Sequence, residues 1–238
     1  MQAPKFWYTP RGWQSTILSP IGALYGVATA RRQKRVKPTQ LNIPVICIGN
    51  LNVGGTGKTP TTIALAQYLT SQNIAVHIVS RGYGGSLRSV TQIDPRAHTA
   101  EETGDEPLLM AAFAPTWVAD SRVAGARAAQ PAGAAVILLD DGFQDPSLSK
   151  DISIVVVNAQ RGFGNGLCLP AGPLREPAQV GMQRADALIS IGDSSAQTHF
   201  LLQNTPVFDG KPHITAVLKP IEMGMPWEEG RYLAFAGI

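Results

Sequence analysis

The stretch "NVGGTGKT" at residues 52–59 follows directly on "IPVICIGNL" at 43–51. An apolar run that ends in a glycine-rich turn and continues into Lys58 and Thr59 predicts a strand, a tight turn and a helix start. Backbone N–H groups in such a turn converge on an anion, and side chains there would block its approach. Glycine is therefore favoured at 54, 55 and 57. The helix that opens near Lys58 adds its free N–H groups and its dipole. Lys58 would reach the terminal phosphates of a nucleotide, and the Thr59 hydroxyl would ligate Mg²⁺. The pattern G-x-x-x-x-G-K-[ST] is met except at its first position, where Asn52 stands. Residues 52–59 (Asn52, Val53, Gly54, Gly55, Thr56, Gly57, Lys58 and Thr59) are thus the candidate phosphate site. The plainer alternative is a glycine-rich turn that binds nothing.

The rest of the chain supplies the context such a loop needs. Apolar runs at 45–49, 75–80, 135–140, 152–158, 187–192, 214–218 and 231–237 read as strands. Several are continuous Val/Ile/Leu, as expected for a parallel sheet covered on both faces. "TPTTIALAQYLTSQ" at 59–72 and "DSRVAGARAAQ" at 120–130 read as helices between them. The predicted architecture is a P-loop NTPase-like three-layer α/β sandwich with a mostly parallel sheet.

Residues 1–37 have a different character and are read as an arm preceding a domain at 38–238, with Pro38 and Pro44 marking the join. "FWYTPRGW" at 6–13 holds four aromatics in eight residues. "STILSPIGALYGVATARRQKR" at 15–35 predicts an amphipathic helix, with Pro20 in its first turn and Ser19 as its cap. Ile17, Leu18, Ile21, Leu24, Tyr25 and Val27 recur at roughly helical spacing. Arg31, Arg32, Lys34, Arg35 and Lys37 follow. Such a helix suits a membrane interface, with the basic run drawn to anionic lipid. The alternative is a helix that packs on its own core.

Bulk composition excludes other classes. With 238 residues, 44% apolar and 16% charged, the chain can bury a core and does not resemble a disordered segment. A net charge of +3 gives no reason to expect nucleic acid. Cys47 and Cys168 sit in apolar surroundings without metal-ligand spacing and read as reduced thiols. No secretory signal is evident, and no run of about 18 apolar residues would span a bilayer.

Two further segments carry carboxylates. "AAVILLDDGFQD" at 134–145 delivers Asp140 and Asp141 to a strand's C-terminal end, the place of a Walker B metal site. "ETGDEPLLMAA" at 102–112 places Asp105 and Glu106 at a helix start. Helix capping is the plain reading there; the functional one is a base for an attacking hydroxyl, with Glu106 completing a metal shell. "SRGYGG" at 80–85 sets Arg81 and Tyr83 after a strand. "RGFGNGLCLPAGPLREP" at 161–177 is too long and too rich in Gly and Pro for a mere connector, and is read as lining a polar acceptor site.

Together, "GNLNVGGTGKTP", "SRGYGG", "TGDEP", "ADSRVAGA", "LDDGFQ", "GNGLCLPAGPLREP" and "AFAGI", in this order, resemble the lipid A disaccharide 4′-kinases. The likeness covers nearly the whole chain. It implies ATP- and Mg²⁺-dependent phosphorylation of the 4′-hydroxyl of an acylated glucosamine disaccharide lipid. The arm would dock on the cytoplasmic leaflet of the bacterial inner membrane. By the same resemblance, Thr56, Lys58 and Thr59 act on ATP and metal, and Asp105 is the base. Thr59, Glu106, Asp140 and Asp141 form or organise the metal shell. Arg81, Tyr83, Arg122, Gln144 and Arg175 line the phosphate and disaccharide sites. Asp145 stands where the family usually has His. Family members continue beyond "AFAGI", so the C-terminal lobe is expected to be largely absent from this chain. The rival class is a membrane-associated ATPase switch, whose signature lysine would fall where Val53 stands; a further rival is an ATP-binding fragment without transfer activity.

Overall fold

A computed structural model of the chain describes residues 3–208 and 210–219. Its centre is an eight-stranded sheet: β1 (Val45–Gly49), β2 (Val76–Ser80), β3 (Thr91–Gln92), β4 (Thr116–Val118), β5 (Val136–Asp140), β6 (Ile152–Asn158), β7 (Ala187–Ile191) and β8 (His213–Ala216), in the spatial order β3-β4-β2-β5-β1-β6-β7-β8. All pairings are parallel except β3 with β4. The helices are α1 (Trp13–Arg35), α2 (Lys58–Ser71), α3 (Ala100–Thr103), α4 (Asp105–Ala111), α5 (Arg122–Ala129), α6 (Ala178–Gln183) and α7 (Ser194–Phe208).

Strand alternation sends successive side chains to opposite layers. On one face Ile63 and Ala66 of α2 and Met110 of α4 meet Val76, Ile78 and Leu138. On the other, Cys47, Val79, Ile137 and Leu139 pack under Ala126 and Ala129 of α5, Met182 of α6 and Phe200 of α7. This is the expected three-layer sandwich. Both cysteines are free and buried, and burial pushes the Cys47 thiol up to about 12 and the Cys168 thiol up to about 11.

Six of the expected strands are present, with ends shifted by two residues or fewer; the expected strand at 231–237 lies outside the described residues. Strands β3 and β4 were not foreseen. At two and three residues they are too short to show a period; pairing of β4 with β2, and of β3 with β4, supplies the order that their sequences lack.

The N-terminal helix begins earlier than expected. Gly12 is its N-cap and Pro20 lies inside it, so Ser19 is not a cap. Pro20 has no N–H for the Thr16 carbonyl; the Ser19 hydroxyl donates to that oxygen instead, at 2.9 Å, which accommodates the proline. Small residues form the packed stripe. A Cβ on Gly22 would lie 2.7 Å from the Cys168 carbonyl oxygen, and one on Gly26 would touch Cys168 and Pro177. Trp13, Ile17, Ile21, Leu24, Tyr25 and Val27 are all exposed, Trp13 to 73%. Burial on the protein's own core is therefore not the fate of the bulky residues. Ahead of α1, a 3-10 turn (Lys5–Tyr8) is tied to the Gly/Pro loop: Trp7 Nε1 donates to the Pro170 carbonyl at 3.0 Å, and Arg11 Nε to the Asn165 carbonyl at 3.3 Å. Among the described residues, no helix is long and apolar enough to cross a membrane.

Candidate active site

Parallel pairing puts the C-terminal ends of β1 and β5 side by side, with Ile48 opposite Asp140. The glycine loop after β1 and the carboxylates ending β5 therefore share one sheet edge. In the loop, Gly54 has φ +105° and Gly57 φ +93°, conformations that strain any side-chain-bearing residue. A Cβ on Gly57 would also run into Ile191. Lys58 and Thr59 open the 14-residue helix α2. The base of the loop is held by residues the motif does not specify. Buried Asn50 donates to Thr56 Oγ1 at 3.1 Å and to the Gly54 carbonyl at 3.4 Å. Asn52 donates to the Gly162 carbonyl at 3.1 Å, and Val53 N–H to the Pro173 carbonyl at 2.8 Å. Asn52 and Val53 thus tether the loop to the Gly/Pro segment, which gives the side chain at the motif's departing position a use.

The two carboxylates after β5 are driven apart. Asp140 is almost wholly buried; burial above all, then the neighbouring charges of Asp141 and Glu106, push its carboxyl up to about 6 despite Lys58 and Arg122. Ser80 Oγ donates to Oδ2 at 3.4 Å, while Oδ1 is buried with no hydrogen-bond partner. For Asp141, burial works upward but Lys58, Arg175 and Arg122 outweigh it, so its carboxyl falls below the usual range. Lys58 Nζ lies 3.8 Å and Arg175 Nη1 2.7 Å from Asp141 Oδ1. Asp141 itself sits at φ +49°, an uncommon conformation for a residue with a side chain.

Arg122 holds that conformation from behind. It is 5% exposed, and its Nη2 donates to the Asp141 carbonyl at 2.7 Å and to that of Asp140 at 3.4 Å, while Nη1 pairs with Asp145 at 2.9 Å. Burial pushes the Asp145 carboxyl up, but hydrogen bonds from Ser147 and the Arg122 charge hold it at about 2. Gln144, half-buried, donates to the Asn50 carbonyl at 2.8 Å and accepts from Arg175 at 3.2 Å. Arg122 and Gln144 are thus seated among the protein's own groups. Arg175, one-quarter exposed, reaches the open edge.

Asp105 and Glu106 lie exposed at the start of α4. Gly104, at φ +89°, takes the N-cap position, so Asp105 is not the cap. The "SRGYGG" turn packs on this start: Ser86 and Leu87 N–H donate to the Glu101 and Glu102 carbonyls, and a Cβ on Gly82 would lie 3.0 Å from the Thr103 carbonyl. Arg81 and Tyr83 are exposed there, Tyr83 to 95%. The charge of Glu106 bears on Asp140, so this corner faces the carboxylate that ends β5.

Sequence reasoning passed over Asn50, Ser80, Glu176 and Arg184. Glu176 is 1% exposed; Arg184 donates to both its oxygens, at 2.8 and 3.0 Å, and Gln144 Nε2 to Oε1 at 3.0 Å. A Glu beside Arg175 in "LREP" was visible as a charge, but nothing in the string announced its burial.

A glycine loop between the central strand and a helix, with lysine at the helix start and paired carboxylates one strand away, defines a P-loop NTPase-like α/β protein. Comparison with known proteins narrows this. The family model described as LpxK, tetraacyldisaccharide-1-P 4'-kinase, matches residues 14–238. The tetraacyldisaccharide 4'-kinase of Dinoroseobacter shibae is 57% identical, covering 100% of this chain and 72% of its own length. That of Jannaschia sp. is 52% identical, again over 100% of this chain and 72% of its own. A solved structure of LpxK from Aquifex aeolicus in complex with ATP superposes with a TM-score of 0.67 at 31% identity, over 84% of this chain and 64% of that one. The chain belongs to the tetraacyldisaccharide-1-P 4'-kinase family.

Proposed function

We propose that the chain transfers the γ-phosphoryl group of ATP to the 4′-hydroxyl of a tetraacylated glucosamine disaccharide 1-phosphate, a step of lipid A biosynthesis. The observation that carries this reading is the junction at Asp141, where the phosphate-loop lysine and Arg175 converge on one carboxylate oxygen. Phosphoryl transfer asks for in-line positioning and charge neutralisation rather than covalent chemistry. The amides of residues 54–59, Lys58 and the N-terminus of α2 would cradle the β- and γ-phosphates. Arg175 stands ready for the same charge once Asp141 turns to other partners.

The residues present fit Mg²⁺. Asp140 offers a buried carboxylate oxygen with no hydrogen-bond partner, at the sheet edge beside the phosphate loop. Among the described residues no three or more His, Cys, Asp or Glu gather into a closed cage. Mg²⁺ is commonly bound through one or two carboxylates, with substrate phosphate oxygens and water completing its shell. Thr59 with Asp140 and Asp141 would hold it, and Glu106, whose charge bears on Asp140, would organise charge at its edge. When bound, the ion would neutralise charge on the phosphate oxygens.

Asp105 is assigned the role of base: exposed at the site's edge, it would orient the sugar hydroxyl and accept its proton. Arg81 and Tyr83 would meet the disaccharide. Residues 1–37 would serve as an arm on the cytoplasmic face of the inner membrane. The exposed apolar residues of α1 and the exposed Arg31, Arg32, Arg35 and Lys37 support this placement. Residues 38–238 would form the kinase domain. The test is incubation with γ-labelled ATP and the lipid disaccharide 1-phosphate. Label on the lipid supports the reading; free labelled phosphate with no lipid product would replace it with an ATPase.

A further inference from the structure

We propose that Glu176, which the family motifs leave without a role here, is a positioning residue for this transfer: it fixes the Gln144 amide so that Arg175 is held on Asp141. The inference rests on the functional reading above. A glutamine side chain has a donor end and an acceptor end, and the two are nearly the same shape. Which end faces Arg175 decides whether Gln144 supports or repels that cation. Glu176, with Arg184 donating to both of its oxygens, serves as an acceptor and so takes the Nε2 end, at 3.0 Å. The Asn50 carbonyl accepts from the same nitrogen at 2.8 Å. Both Nε2 hydrogens are then committed, and Oε1 has one direction left, toward Arg175 Nη1 at 3.2 Å. That same Nη1 reaches Asp141 Oδ1 at 2.7 Å.

Glu176 can hold a charge at this depth because Arg184 grips both of its oxygens, a bidentate geometry that suits a carboxylate. Arg184 is in turn steadied over the Phe143 ring, 4.8 Å from its centroid. An uncharged side chain with donor and acceptor ends at position 176 would leave the Gln144 orientation less firmly specified. The cation beside the reacting phosphates would then be less firmly placed. The same Asn50 whose carbonyl meets Gln144 braces the phosphate loop through Thr56, so one network supports both halves of the site.

The test compares Glu176→Gln with wild type and with Phe200→Leu, a core truncation on α7 that lowers stability without removing any hydrogen bond of this network. Glu176→Gln is expected to lower kcat for lipid phosphorylation by about 10–100-fold, as the loss of a supporting partner commonly does, with KM for ATP within about twofold. Phe200→Leu is expected to lose Tm but keep kcat. Gln144→Met cuts the same link while sparing the Glu176–Arg184 pair, so it carries the test if Glu176→Gln does not fold, and is expected to show the same kcat loss. Glu176→Gln with the kcat of Phe200→Leu, or Gln144→Met with the kcat of wild type, would overturn the proposal. A wild-type chain that labels no lipid would instead bring down the functional reading, and this inference with it.

Discussion

Arg175 meets Asp141 at 2.7 Å, on the same carboxylate oxygen that Lys58 approaches at 3.8 Å. One oxygen thereby joins the loop after β1, the end of β5 and the last residues of the Gly/Pro segment. Two cations converge there, in a site where the family's chemistry delivers a triphosphate.

Replacing the lysine tests the phosphate side of this arrangement. Lys58→Ala should lower transfer by at least about 10²–10³-fold, the usual loss for a group that stabilises transition-state charge. The fold should survive, because Asp141 keeps Arg175 as its partner at 2.7 Å once the lysine is gone. Steady-state kinetics and a thermal melt on one preparation check both halves.

Asp105 tests the acceptor side. Asp105→Ala should reduce kcat by about 10²–10⁴-fold while ATP affinity holds. The exposed carboxylate is not the N-cap of α4, so little stability should go with it. A variant turning over like wild type removes Asp105 from the mechanism.

Asp145 gives a pH signature. Its carboxyl is held at about 2 in the folded chain against an ordinary value of 3.8. A depressed acid adds stability that is fully present above the unfolded value and is lost as pH falls through the folded one. Asp145→Asn should therefore melt lower than wild type above about pH 4, with the gap closing between about pH 4 and pH 2. At neutral pH the loss should be about 1–3 kcal/mol, since buried Arg122 loses its counter-charge but keeps an acceptor. A gap independent of pH would mean that the charge of Asp145 is not what stabilises.

The arm separates packing from membrane contact. Gly22→Leu should destabilise by about 1–3 kcal/mol through overpacking, because its Cβ meets the Cys168 carbonyl. Ile17→Ser with Leu24→Ser should leave Tm unchanged, since both side chains are exposed. The pair should weaken binding to anionic vesicles by about tenfold or more, on the apolar area each would bury. Equal vesicle binding by this pair and wild type would detach α1 from the membrane reading.

Much of this was legible in the string because it rests on local signals. The glycines at 54 and 57 declare a left-handed turn, and continuous Val/Ile/Leu runs declare strands covered on both faces. The Asp140–Asp141 pair was found because a parallel sheet brings strand ends to one edge. What escaped depends on tertiary packing. Thr116–Val118 is a strand only because β2 lies beside it. Pro20 reads as a helix start until Ser19 is seen to satisfy the Thr16 carbonyl. Arg122 was expected to line the phosphate and disaccharide sites, but its hydrogen bonds to the backbone carbonyls of Asp140 and Asp141 carried no signal in the string. Glu176 gave no periodicity or motif signal for its burial, because its partners lie eight and 32 residues away.

The central claim is that the terminal phosphate of ATP sits between Lys58 and the carboxylates that end β5. A crystal structure of the chain with Mg²⁺ and a non-hydrolysable ATP analogue tests it most directly. The account predicts γ-phosphate oxygens within about 3 Å of Lys58 Nζ, and the metal between them and Asp140 or Asp141. An analogue seated elsewhere, with Lys58 still turned to Asp141, would contradict it.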